Sequence, residues 1–96
     1  MSGEEYRFRL FIAGNEPNSC LAEQNLRALC LEHLPDRHHI DIIDIFQDFD
    51  AALQAHIMVA PAVVVMAPRP VTLFGTLTVT AKILTALGLK VTDHHD

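Results

Sequence analysis

Residues Arg7 to Ala13 alternate, with Phe8, Leu10 and Ile12 on one face and Arg7, Arg9 and Phe11 on the other. A period of two predicts a strand. Leu21, Leu26, Leu29, Cys30 and Leu34 then recur at helical spacing, with Glu23, Gln24, Arg27 and Glu32 mostly between them. They predict an amphipathic helix that ends at or just before Pro35. Between the two elements lies the polar run Gly14-Asn15-Glu16-Pro17-Asn18-Ser19. Pro17 suits a first helical turn, where its missing N–H would have no partner in any case. Asn15, Asn18 or Ser19 can cap the helix, and the pattern does not choose among them.

After the polar loop Asp36 to His39, the isoleucine-rich run Ile40 to Phe46 predicts a second strand. Asp41 and Asp44 fall on its opposite faces, so neither face can be buried cleanly and an edge position follows. Asp48 is placed to cap a short helix through Ala51, Ala52, Leu53 and Ile57, which Ala60-Pro61 breaks. Ala62 to Met66 is continuously apolar and β-branched, as a strand covered on both faces should be. Pro68-Arg69-Pro70 forms a stiff turn into a short fourth strand, Val71 to Phe74. A last helix, capped by Thr76 or Thr78, carries Val79, Ile83, Leu84 and Leu87 on one face, and Gly88-Leu89 fits a Schellman ending.

The order is β-α-β-α-β-β-α. Its first β-α-β unit should be parallel, and the proline turn should join two antiparallel strands. A four-stranded mixed sheet flanked by helices, of α/β class and thioredoxin-like arrangement, accounts for the whole pattern. Ninety-six residues suit one domain spanning 1–96, ordered over about 6–90 with a loose tail at 91–96. A domain this small buries only about 60–65% of the surface of its unfolded chain, so covering an open strand edge by self-association would stabilise it.

Net charge is −5, and the seven basic residues are scattered rather than clustered. Nucleic-acid binding needs a basic stripe, and none is present. No apolar run reaches the roughly 18 residues of a membrane span, and the polar start Met1 to Glu5 is not a signal peptide. Cys20 and Cys30 fall ten apart in one helix, where they cannot meet, so reduced thiols and a cytoplasmic location are expected.

Candidate chemistry is sparse. Cys20 lies near a helix N-terminus, which can activate a thiol, but no Cys-x-x-Cys accompanies it and Glu16 and Glu23 oppose a thiolate. Cys30 lies on the apolar face and should be core. His38-His39 and His94-His95 are adjacent pairs without a ligand at helical spacing, so no metal is expected. Asp41, Asp44, Asp48 and Asp50 span a strand end and a helix start and do not converge as an acid–base pair. No catalytic residue and no cofactor is expected.

The run Leu10-x-Ile12-Ala13-Gly14-Asn15-x-Pro17-Asn18-Ser19 resembles the KaiB family. So do the isoleucine strand ending in Asp44-Ile45, Pro61 before the apolar third strand, the Pro68-x-Pro70-Val71 turn, Gly75-x-Leu77 and Ile83-Leu84. The resemblance runs from about Arg7 to Leu89. It implies a small non-enzymatic protein that docks on a KaiC-type ATPase, or a related regulator, in a circadian clock or clock-derived system. It also implies two interconverting forms in the family, a tetrameric ground fold and a thioredoxin-like binding fold. The last helix argues for the thioredoxin-like form here.

On this reading the partner-binding residues are Asn15, Glu16, Pro17, Asn18, Ser19, Asp41 and Asp44. Pro61, Pro68 and Pro70 are structural, with Pro61 the position that is cis in thioredoxin-like folds, and the chain should form a dimer or tetramer. The alternative function is that of a thioredoxin-like single-cysteine thiol protein using Cys20. Two departures from the family pattern bear on docking. Val65 and Thr72 stand where family members commonly carry basic residues.

Overall fold

A computed structural model describes residues 5–67, 70–77 and 80–89. The elements are β1 (Tyr6–Ile12), α1 (Pro17–His33), β2 (His38–Asp44), α2 (Phe49–Gln54), β3 (Ala62–Ala67), β4 (Val71–Phe74) and α3 (Thr80–Ala86). They form a mixed sheet in the order β2-β1-β3-β4, with β1–β2 parallel and both β1–β3 and β3–β4 antiparallel. The β-α-β-α-β-β-α order and the parallel first unit therefore hold. So does the edge position of β2.

β1 sits inside the sheet and is covered on both sides, which is why the adjacent residues Leu10 and Phe11 are both fully buried. On one face Tyr6, Phe8 and Leu10 meet Val63 and Val65 of β3 beneath α1 and α3. On the other, Phe11 and Ala62 pack with Ala52 of α2 and with Ile57. α2 stops at Gln54, short of the Ile57 expected, though Asp48 caps it as expected by accepting from the Ala51 N–H at 3.2 Å. β3 is buried on both faces only in its first half, and Met66 is exposed.

Three local readings need correction. β2 starts and ends two residues before the Ile40–Phe46 run, because its register is set by the ladder Tyr6↔His38 to Ile12↔Asp44. Leu21 is exposed, and the inward face of α1 is Ser19, Ala22, Leu26, Leu29 and Cys30. No side chain caps α1: Glu16 is the N-cap residue without a capping bond, and Asn18 and Ser19 lie inside the helix.

The end of α3 follows the expected Schellman geometry. Gly88 has φ +78°, its N–H reaches the Thr85 carbonyl at 3.0 Å, and the Leu89 N–H reaches the Leu84 carbonyl at 2.8 Å. Ile83, Leu84 and Leu87 are buried, and the segment from Thr80 to Ala86 is helix, as expected for the thioredoxin-like form. Thr78 and Val79, Pro68 and Arg69, and the tail 90–96 lie outside the described residues. Thr76 anchors α3's approach by its carbonyl, which accepts from the Asn25 side-chain amide at 2.7 Å.

Candidate functional site

The β1–α1 turn is built by convergence of local and distant hydrogen bonds. The Glu16 N–H donates to the Ala13 carbonyl at 3.1 Å, and the Ala13 N–H donates to Ser19 Oγ at 2.9 Å. From thirty residues away, Asp44 Oδ1 accepts from the Gly14 N–H at 3.1 Å and from the Phe46 N–H at 3.0 Å. Gly14 has φ +56°, and a Cβ there would lie 3.3 Å from the Phe46 ring, so both conformation and space favour glycine. The outcome is a pinned turn that presents Asn15, Glu16, Pro17 and Asn18 to solvent.

The sheet register gathers further residues at this end. Asp44 pairs with Ile12, and Phe11 pairs with Ala62, which in turn pairs with Phe74. Pro61, just before Ala62, therefore lies at the same end as the turn. Its peptide bond with Ala60 is cis, its side chain is buried, and its carbonyl accepts from the Gly75 N–H at 3.0 Å. Around these sit exposed apolar side chains, Phe46, Met58, Val59 and Phe74.

Not every residue assigned to a partner surface is free for one. Ser19 is 1% exposed and its hydroxyl holds the turn, so it supports the surface and cannot touch a partner. Asp44 is half-buried, with Oδ1 engaged twice inside the chain. Asp41 is exposed on the β2 edge strand and pairs with His39 Nε2 at 3.0 Å. Pro70 is exposed at the entry to β4. Thr72 is exposed, but Val65 is 1% exposed, so a basic side chain at 65 would enter the core.

The two thiols are free and differ in setting. Cys20 is exposed, and its Sγ lies 3.8 Å from the Asn15 carbonyl. Cys30 is fully buried. Desolvation pushes its thiol from the usual 9.0 up to about 12, against a smaller lowering by the Arg27 charge. It stays a neutral core side chain at neutral pH. Among the described residues no group of three or more His, Cys, Asp or Glu is arranged to hold a metal ion. No helix of the described residues is long and apolar enough to cross a membrane.

A thioredoxin-like sheet whose β1–α1 turn carries Asn15-Glu16-Pro17-Asn18 in place of a dithiol defines the class: this fold without its redox pair. The KaiB domain model matches residues 9–89. The circadian clock protein KaiB3 of Synechocystis sp. is 34% identical over 84 residues, covering 86% of this chain and 80% of that protein. The circadian clock oscillator protein KaiB of Microcystis aeruginosa is 29% identical, covering 88% of this chain and 82% of that protein. The chain belongs to the KaiB family.

Solved structures agree on the fold. The N-terminal domain of Synechococcus elongatus SasA superposes with a TM-score of 0.72 at 15% identity, covering 98% of this chain and 93% of that one. Chloroplastic thioredoxin z gives a TM-score of 0.71 at 19% identity, covering 88% and 77%.

Proposed function

We propose that this protein is a non-enzymatic regulator that docks on a KaiC-type ATPase through the Asn15–Asn18 turn and the β2 edge strand. The observation that carries the reading is the match to the KaiB domain over residues 9–89, which includes this turn. Two features of the chain support it. The turn is pinned from both sides yet exposed, so it can bind without first being ordered. The outer side of β2 is an open edge, where a partner strand can add by main-chain hydrogen bonds without catalytic residues. Asp41, exposed on that edge, discourages indiscriminate strand pairing.

Binding to the KaiC homologue of its own organism, measured by fluorescence anisotropy, tests the proposal. Thr72→Arg restores a basic side chain at an exposed position. It is expected to tighten a weak native complex by about three- to tenfold, with the gain shrinking as salt rises. If neither the native protein nor this variant binds, the clock-partner reading fails.

Self-association belongs to the same reading. The open β2 edge and the exposed side chains Phe46 and Phe74 are surfaces that a second copy would cover. Light scattering is expected to show a dimer or tetramer at high micromolar concentration, and a strict monomer there would refute this.

The competing class is a thiol protein acting through Cys20. Cys30 is sealed in the core and cannot resolve a mixed disulfide from Cys20 without unfolding. Cys20→Ser is expected to leave stability and partner binding within about 0.5 kcal/mol of the native values, as for most surface substitutions. Insulin-reductase or peroxidase activity in the native protein that this variant lacks would reverse the assignment.

A further inference from the structure

The face of the sheet beneath α2 is covered only in part, because α2 is six residues long. Beside its C-terminal end a hollow of about 320 Å³ opens, lined by Arg9, Gln54, Ala55, Val64 and Met66. Arg9 is half-buried in the middle of β1, paired in register with Asp41 on one side and Val64 on the other. Yet Asp41 is engaged by His39, and among the described residues the Arg9 guanidinium has neither an ion pair nor a hydrogen bond. Its fork of five N–H donors is thus partly removed from water and unpaired, in a chain of net charge −5.

We propose that this hollow binds a monocarboxylate on a short apolar stem. The planar guanidinium offers two parallel N–H donors, which match one carboxylate, and the Gln54 amide supplies a neutral polar group beside it. Val64, Met66 and Ala55 form an apolar wall for methylene groups. A phosphate dianion fits less well. One half-buried cation matches the single charge of a carboxylate and does not balance the two of a phosphate dianion. The carboxylate can come from a free short-chain acid or from a glutamate side chain of a partner. None of the lining residues belongs to the Asn15–Asn18 turn, so failure of this site would leave the docking proposal standing.

Titration of the ¹⁵N-labelled protein separates these outcomes. Sodium butyrate, against sodium chloride at equal ionic strength, is expected to give saturable shifts of the Arg9 side-chain N–H and of the Ala55, Val64 and Met66 amides. A capped peptide acetyl-Ala-Glu-Ala-amide, against its glutamine counterpart, tests the partner source. Saturation by butyrate alone assigns the site to free acids, and saturation by the glutamate peptide extends it to a partner side chain.

Arg9→Gln is expected to weaken butyrate binding by about tenfold or more, the scale of one lost charge-assisted contact. Ala55→Leu, which fills the hollow and keeps Arg9, is expected to do the same, and it decides the matter if Arg9→Gln fails to fold. Shifts that stay linear, that survive Ala55→Leu, or that inorganic phosphate produces at lower concentration would overturn the proposal.

Discussion

Replacing Val65 with lysine is expected to abolish cooperative folding, or to leave a domain melting tens of degrees lower. Val65 is 1% exposed and packs in the cluster of Phe8, Leu10 and Val63 under α1 and α3. It is paired with Phe8 on β1, just past a register shift between Arg7 and Phe8, and with Val71 on β4. A lone ammonium there has no carboxylate to meet, and an uncompensated buried charge costs about 3–5 kcal/mol beyond the lost packing. Small domains have only about 5–15 kcal/mol in total, and each kcal/mol is worth roughly 4–8 °C at this size.

The sign with pH is a second check. Burial would depress the lysine pKa, so between its folded and unfolded values the unfolded chain binds the extra proton. Stability of the variant should therefore recover as pH rises toward about 10. Thr72→Lys, next to Val71 but exposed, should change the melting temperature little. Equal melting of the two variants would show that residue 65 is not in the core. The consequence for the family resemblance is physical. A basic residue at position 65 is a charge that this sheet would have to bury, and valine avoids that cost.

The same position shows where sequence reasoning reached and where it stopped. Strand alternation, the Asp48 cap and the Gly88 ending are local, and each is written in neighbouring residues, so they carried over to the structure. The edge position of β2 was legible because aspartates on both faces forbid burial. The inward face of α1 was not. Ser19 reads as a cap by residue type, but its hydroxyl turns inward to the Ala13 N–H, and the helix rotates so that Leu21 faces solvent. Val65 reads as a departure that bears on docking, because a family pattern records residue types without recording which way they point. Arg9 reads in sequence only as one of two arginines on the Phe11 face of β1, since the hollow beside it depends on the six-residue length of α2.

Asp44 is the least legible residue and the one whose loss should matter most to the candidate site. In sequence it is an acidic residue at a strand end, equivalent in type to Asp41. In the fold its Oδ1 ties Gly14 and Phe46 together, joining the end of β2 to the β1–α1 turn. Asp44→Ala leaves two backbone N–H groups without that charged acceptor. Hydrogen bonds to charged groups contribute roughly 1.5–3 kcal/mol each, and partial access of water reduces the sum, so a net loss of about 2–3 kcal/mol is expected. At this size that is a fall of roughly 10–20 °C in melting temperature.

Amide exchange should speed up at Gly14 and Phe46 well before it does at Val63 in the core. Asp44→Asn, which keeps an acceptor oxygen, should restore part of both effects. Asp41→Ala removes only an exposed contact to His39 and is expected to stay within about 0.5 kcal/mol of the native protein. Because Asp44 holds the turn that presents Asn15 to Asn18, its alanine variant should also lose partner affinity at temperatures where the domain is still folded. If Asp44→Ala and Asp41→Ala behave alike in both melting and exchange, the turn is held by its local bonds alone, and Asp44 has no part in shaping the surface.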